Sequence, residues 1–232
     1  MDKKLGRYNT ILFDVDGTLL DFNSAERNAM KKVFENHNYL LDDNVKAIYN
    51  EINHGLWKQY EQGEITREEV IYTRFVKLFE TLQIEGDGVA FEDEYQELLG
   101  QGHDLIDGAV ELIERLYKTH DLYIVTNGVT KTQFSRLKAS GLDVYMKDIF
   151  VSEATGFQKP MKEYFDYCFV RIPGIDLEKT IIVGDTLSSD ILGGNNANIA
   201  TCWFNPEGIK ASMDVTIDYE IKALDELDEI VK

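Results

Sequence analysis

Thr10-Ile11-Leu12-Phe13-Asp14-Val15-Asp16-Gly17-Thr18 decides how the rest of the chain is read. Its first four residues form a short apolar run with the length of a buried strand. The run stops at two acids and a glycine, so the strand opens into a loop. The same pattern returns downstream. Leu122-Tyr123-Ile124-Val125 ends in Thr126-Asn127-Gly128, Ile149-Phe150-Val151 is followed by Lys159-Pro160, and Thr180-Ile181-Ile182-Val183 ends in Gly184-Asp185. Ala200 to Phe204 and Val215 to Ile217 read as two further strands.

Helical segments separate these strands. Asp107-Gly108 is placed to cap a helix carrying Val110, Ile113, Leu116 and Tyr117. Another runs from about Thr130 to Ser140 and stops at Gly141, a usual helix terminator. One surrounds Tyr164, Phe165, Cys168 and Phe169, and the last carries Leu224, Leu227 and Val231. Strands alternating with helices predict a parallel sheet covered on both faces. Continuous apolar runs, rather than alternating ones, suit strands buried on both sides. The fold class is therefore α/β, with a doubly wound, Rossmann-like parallel sheet.

After the first strand the alternation is interrupted. Residues 21–101 are helical throughout: Met30, Val33, Phe34 and His37 share one face, and Val45, Ile48, Tyr49, Ile52 and Leu56 share another. Thr66-Arg67-Glu68-Glu69 has the spacing of a capping box and launches Ile71, Phe75, Leu78, Phe79 and Leu82. A fourth helix is expected over Phe91 to Leu99. No connecting loop is that long. The expected organisation is an α/β core of residues 1–20 and 102–232, with an all-helical domain of residues 21–101 inserted after the first strand.

Composition bounds the partners. The 232 residues are 44% hydrophobic and 28% charged, the profile of a globular domain rather than a disordered chain. Acids outnumber bases 42 to 24, for a net charge of −18, which disfavours nucleic-acid polymers and anionic membrane surfaces. The helical insert holds 17 acids and 8 bases, or −9, and the six acids without a base between Glu85 and Glu97 read as a solvated helix face. Cys168 and Cys202 stand alone and read as small buried hydrophobes in a reducing compartment. The four histidines show no metal-binding spacing. The first apolar run ends at Asp14, too short for a signal-peptide core or a membrane span, so a cytoplasmic protein is expected.

In an open parallel sheet, ligands bind beyond the carboxyl ends of the strands. Here those ends bring Asp14, Asp16, Thr126, Asn127, Lys159, Asp185 and, five residues on, Asp190. So many carboxylates repel one another unless a cation joins them. Mg²⁺ takes oxygen ligands and leaves room for water or phosphate. Carboxylates, Mg²⁺ and a lysine make up a phosphoryl-transfer inventory, in which one carboxylate can serve as the nucleophile.

Taken in order, Asp14-Val15-Asp16-Gly17-Thr18, Thr126-Asn127, Lys159-Pro160 and Gly184-Asp185-Thr186-Leu187-Ser188-Ser189-Asp190 resemble the four motifs of the haloacid dehalogenase superfamily. The insert resembles that superfamily's helical cap. Leu56-Trp57-Lys58-Gln59-Tyr60, Thr126-Asn127-Gly128-Val129-Thr130, Gln133 with Arg136-Leu137, and Ser189-Asp190-Ile191-Leu192-Gly193-Gly194 are similar to the YjjG/YfnB branch of bacterial pyrimidine 5′-nucleotidases. The resemblance implies a Mg²⁺-dependent hydrolase that releases phosphate from a small phosphomonoester, a pyrimidine nucleoside monophosphate; a monomer or homodimer is expected, the choice between them left open. It implies that Asp14 is the nucleophile and Asp16 the acid and base. Asp14, the main-chain carbonyl of Asp16, and Asp185 would hold Mg²⁺. Thr126 and Lys159 would bind phosphate, with backbone amides near Gly17 and Asn127 assisting. Asp190 would hold Lys159 or a metal-bound water.

Two alternatives stay open at this point. One is a phosphatase for sugar or other metabolite phosphates. The other is a non-catalytic switch carrying a stable phospho-Asp. An acid two residues after the nucleophile suits phosphoryl chemistry better than halide release. In the insert, helical spacing makes core packing the default for Trp57 and Tyr60; the sharper expectation is a wall that stacks on a nucleobase.

Overall fold

The structure is a computed structural model that describes residues 6–232. Strand β1 (Thr10–Phe13) leads into four helices: α1 (Phe22–Asn36), α2 (Asp43–Glu61), α3 (Arg67–Leu82) and α4 (Gly88–Leu99). The chain then alternates through α5 (Ala109–Leu116), β2 (Asp121–Thr126), α6 (Thr130–Ser140), β3 (Asp148–Val151), α7 (Ser152–Thr155), α8 (Lys162–Phe169) and β4 (Thr180–Gly184). A π-helical turn, Leu187–Ile191, runs into α9 (Leu192–Asn196), followed by β5 (Ala200–Phe204), β6 (Tyr219–Ile221) and α10 (Leu227–Val231). The chain divides into two compact units. One comprises the residues up to Phe22 together with His103–Lys232; the other is Asn23–Gly102. Among the described residues no helix is long and apolar enough to cross a membrane.

The first unit is built on a six-stranded, wholly parallel sheet of order β3-β2-β1-β4-β5-β6. Both neighbours of β1 are in register with it, Phe13 lying opposite Ile124 on one side and Val183 on the other. The strand order reverses between β1 and β4, the position at which open parallel sheets take their ligands. Successive side chains point to opposite faces, and here both faces are covered. Ile11, Phe13, Ile124 and Val183 join α5 and the C-terminal Leu224, Leu227 and Val231 on one face. Leu12, Val125 and Ile182 join Tyr164, Phe165 and Cys168 of α8 on the other. This double burial is why the strands read as unbroken apolar runs.

Two details of this unit differ from the sequence expectation. Val215 to Ile217 is not a strand; the sixth strand is Tyr219–Ile221. The Thr216 backbone is engaged by side chains instead of a ladder: Asn195 Nδ2 donates to its carbonyl at 2.9 Å and its N–H donates to Asn195 Oδ1 at 2.8 Å. Val215 and Ile217 pack on Leu187, Ile191 and Trp203. At α5, Gly108 occupies the cap position at φ +81° with no side-chain cap bond, so Asp107 does not cap that helix.

In the helical unit, α3 begins with the full capping box: Glu69 N–H donates to Thr66 Oγ1 at 3.2 Å, and Thr66 N–H donates to Glu69 Oε2 at 2.7 Å. Its core is aromatic, with Phe75 against Phe91 (centroids 4.8 Å apart) and Tyr49 (5.1 Å). The acidic run of α4 is not simply a solvated face. Glu92 is 0% exposed and receives a two-pronged ion pair from Arg74 of α3, at 2.8 and 2.6 Å. Asn53 accepts the third Arg74 bond at 3.1 Å and Gln96 donates to Glu92 at 2.8 Å, so both buried charges are also hydrogen-bonded.

Candidate active site

Lys159 lies on the loop between α7 and α8 and is 1% exposed. Its Nζ donates to Asp14 Oδ1 at 2.6 Å, Asp190 Oδ1 at 2.7 Å and the Val125 carbonyl at 2.8 Å. An ammonium has three protons, and all three are committed. The backbone of Lys159 is held as well: Asn127 Nδ2 donates to its carbonyl and its N–H donates to Asn127 Oδ1, both at 2.9 Å. The Asn127 side chain therefore ties the end of β2 to this loop. Asp190, on the π-helical turn, is fixed from its other oxygen by the Thr186 N–H at 3.0 Å.

Asp14, Asp185 and Asp190 each bring a carboxylate oxygen within 4.8 Å of the others. Two glycines allow this approach. A Cβ on Gly17, at φ +82°, would lie 2.5 Å from Asp185 Oδ2, and a Cβ on Gly184 would lie 2.3 Å from Asp190 Cγ. Trp203 of β5 holds the backbone of Asp185, its Nε1 donating to the Asp185 carbonyl at 2.8 Å.

The electrostatics follow from burial. Burial pushes the Asp14 carboxyl well above the usual range; Lys159 pulls it down, while Asp190, Asp185 and Asp16 push it up. Burial and then the charge on Asp190 push Asp185 up to about 7. Burial opposes the charge on Lys159, but Asp14 and Asp190 outweigh it and raise its pKa. One ammonium among three carboxylates leaves an excess of negative charge. The all-oxygen donor set fits a hard divalent cation such as Mg²⁺, which would reverse the upward shifts.

Asp16 faces a different partner. Its Oδ1 is paired with Arg136 Nη1, and its Oδ2 accepts from Gln133 Nε2 at 2.7 Å. Gln133 Nε2 also donates to Thr126 Oγ1 at 2.8 Å, and the Gly128 N–H reaches the same oxygen at 3.2 Å. Gln133 and Arg136 lie three residues apart on α6 and are buried. They carry no role in the sequence reading. The signal available was a pair of polar residues on one face of the helix that follows Thr126-Asn127-Gly128.

Residues 8–198 match the haloacid dehalogenase-like hydrolases. The chain belongs to that family. This haloacid dehalogenase-like hydrolase is 51% identical over 225 residues to the HAD-hydrolase YfnB of Bacillus subtilis, covering 97% of this chain and 96% of YfnB. The crystal structure of YfnB bound to magnesium, reported to reveal interdomain movement, superposes with a TM-score of 0.91 over 97% of this chain and 98% of that one. Pyrimidine 5′-nucleotidase PynA of Streptococcus pneumoniae is 37% identical over 221 residues, 95% of this chain and 93% of PynA. Pyrimidine 5′-nucleotidase YjjG of Escherichia coli is 32% identical over 226 residues, 94% of this chain and 98% of YjjG.

In this family member the side chains of Asp14, Lys159, Asp185 and Asp190 form one cluster, and Asp16 and Thr126 are joined through Gln133. Trp57 and Tyr60 belong to α2 of the helical unit. Tyr60 is 5% exposed and packs with Leu56 and Val70, and the half-buried Trp57 lies edge-on to it at 5.6 Å.

Proposed function

We propose that this hydrolase is a Mg²⁺-dependent 5′-nucleotidase releasing phosphate from pyrimidine nucleoside monophosphates through an aspartyl-phosphate on Asp14. The observation that carries the reading is the Lys159 ammonium bonded to both Asp14 and Asp190 beside Asp185, at the switch point of the sheet. The names of PynA and YjjG support the substrate class.

Asp14 and Asp185, with the Asp16 carbonyl, would hold Mg²⁺, which supplies charge neutralisation for the phosphoryl oxygens. Lys159 offsets part of the charge on Asp14 and Asp190, and the divalent cation would offset the rest, so that an anionic phosphate is not repelled. The Thr126 hydroxyl accepts two bonds, which directs its own proton toward a further acceptor, here assigned to phosphate. In the first step a bond forms between Asp14 and phosphorus as the bond to the nucleoside 5′-oxygen breaks, and Asp16 gives that oxygen a proton. In the second, Asp16 takes a proton from water, the water oxygen bonds to phosphorus, and the Asp14–phosphorus bond breaks. Trp57, which keeps part of its ring outside the Leu56–Tyr60–Val70 cluster, is the first aromatic of the helical unit to vary for base contact.

The test is phosphate release across uridine, thymidine and purine monophosphates and sugar phosphates, with Mg²⁺ and with chelator. Chelator-sensitive preference for pyrimidine monophosphates is expected. Preference for sugar phosphates would discard the nucleotidase assignment. A long-lived phosphoprotein without turnover would favour the switch.

A further inference from the structure

Asp16 is 28% exposed, yet both of its carboxylate oxygens are engaged by one helix. Arg136, 1% exposed, pairs with Oδ1, Gln133 holds Oδ2, and Arg136 Nη1 also donates to Gln133 Oε1 at 3.2 Å. The Arg136 guanidinium lies 5.6 Å from the centre of the Phe22 ring, which limits its freedom on another side. A guanidinium this deeply buried is costly without a carboxylate, so its position and that of Asp16 specify each other. Gln133 then carries the same restraint to Thr126, through a single Nε2 that reaches both Asp16 and Thr126. Each carboxylate oxygen has a second lone-pair site, so a carboxyl held this way can still present an oxygen to a substrate.

We infer that Gln133 and Arg136 are positioning residues that fix the Asp16 carboxyl in the geometry used for proton transfer, and that Gln133 also restrains the Thr126 hydroxyl assigned to phosphate. The inference rests on the phosphatase reading above. Neither residue touches the reacting atoms; each acts through Asp16. Proton transfer demands hydrogen-bond reach to the departing oxygen, and a carboxyl free to rotate into solvent loses that reach.

The leaving group reads this out. A nucleoside 5′-oxygen departs poorly and needs the proton, whereas p-nitrophenolate departs without one. Uridine 5′-monophosphate and p-nitrophenyl phosphate are compared by rapid quench with Mg²⁺, for wild type, Arg136→Met, Gln133→Met and Asp16→Asn. Arg136→Met is expected to slow the first turnover of the nucleotide on the order of 10²-fold, the scale of general acid catalysis, with KM changed less than about threefold. The first-turnover burst of p-nitrophenolate is expected to stay within about fivefold of wild type, while later turnovers slow because water activation also needs Asp16. Gln133→Met should show a weaker nucleotide-selective loss on top of a loss common to both esters, since it also releases Thr126, and Arg136→Lys, which keeps the charge and one donor direction, should recover part of the loss. Combining Arg136→Met with Asp16→Asn should add less than about threefold to Asp16→Asn alone, as for residues acting as a unit.

Equal first-turnover losses on the two substrates, or multiplicative losses in the double variant, would overturn the inference and leave the phosphatase reading standing. A wild type inactive on both esters would overturn both. If Arg136→Met fails to give a native circular dichroism spectrum, Gln133→Met, which removes no charge, decides by the same ratio.

Discussion

Lys159 Nζ stands 2.6 Å from Asp14 Oδ1, and the same nitrogen is 2.7 Å from Asp190 Oδ1. One cation thus serves two buried carboxylates, and its removal leaves both without a counter-ion. Lys159→Met is expected to lower kcat for phosphate release by at least about 10²-fold, the scale for loss of a group stabilising transition-state charge. Without metal it should also be destabilising by about 3–5 kcal/mol, as when one partner of a buried pair is deleted. Thermal melts check the electrostatic origin. Saturating Mg²⁺ at about 100 times its Kd adds roughly 2.7 kcal/mol to the wild type, raising Tm by about 5–10 °C for a chain of this size. A variant whose Tm in chelator equals that of wild type would exclude the counter-ion role.

Gly17 is where the β1 loop passes against Asp185. Its φ of +82° disfavours any side chain, and an added Cβ would lie 2.5 Å from Asp185 Oδ2. Gly17→Ala should therefore displace the carboxylate proposed to hold metal. Mg²⁺ affinity, measured by calorimetry or by the metal dependence of activity, is expected to fall about 10–100-fold, the range for disturbed support of a metal ligand. Gly63→Ala is the matched control. It too has positive φ, at +74°, but nothing within 4 Å of the added atom. It should cost stability in the helical unit and leave Mg²⁺ affinity unchanged.

The side chains gathered round Lys159 were legible in the sequence because each follows the abrupt end of an apolar run, and a parallel sheet collects such ends on one side. The partners of Asp16 were less so. On α6 the buried residues Thr132, Gln133 and Arg136 are polar, so the apolar pattern that marks a helix face leaves only Leu137. Glu92 was hidden for another reason. It is followed by two more acids, Asp93 and Glu94, and its counter-ion Arg74 comes from a different helix, 18 residues upstream. Val215 to Ile217 has the apolar content of a strand, but the side chain of Asn195 takes the place of a ladder partner.

The two cysteines give a pH-dependent prediction. Both thiols are fully buried, and burial pushes Cys168 and Cys202 from the ordinary 9.0 up to about 12. Only the thiolate reacts, so at pH 8 native-state alkylation should be about 10³-fold slower than for an ordinary thiol. Its rate should climb steadily with pH, without a plateau near 9. The sign for stability is the reverse. Between pH 9 and 12 the unfolded thiols ionise and the native ones do not, so the native state binds more protons and stability falls as pH rises. Iodoacetamide labelling followed by mass spectrometry, with and without denaturant, checks both thiols; rapid native labelling at pH 8 would show that either one is accessible.

Arg74 and Glu92 join α3 to α4 by two charge-assisted bonds of 2.8 and 2.6 Å, with both side chains removed from water. The attraction is strong, but so is the cost of burying the charges, and the two nearly cancel against an apolar pair of similar volume. Deleting one member removes only the attraction. Arg74→Met should destabilise the helical unit by about 3–5 kcal/mol, because it leaves a wholly buried carboxylate without its counter-ion. Arg74→Met combined with Glu92→Leu should recover most of that loss, and the coupling between the two changes is the quantity to measure. Denaturant melts of the four proteins in the cycle supply it. Simple additivity of the two losses would mean that the pair is not the buried, mutually dependent unit its geometry describes.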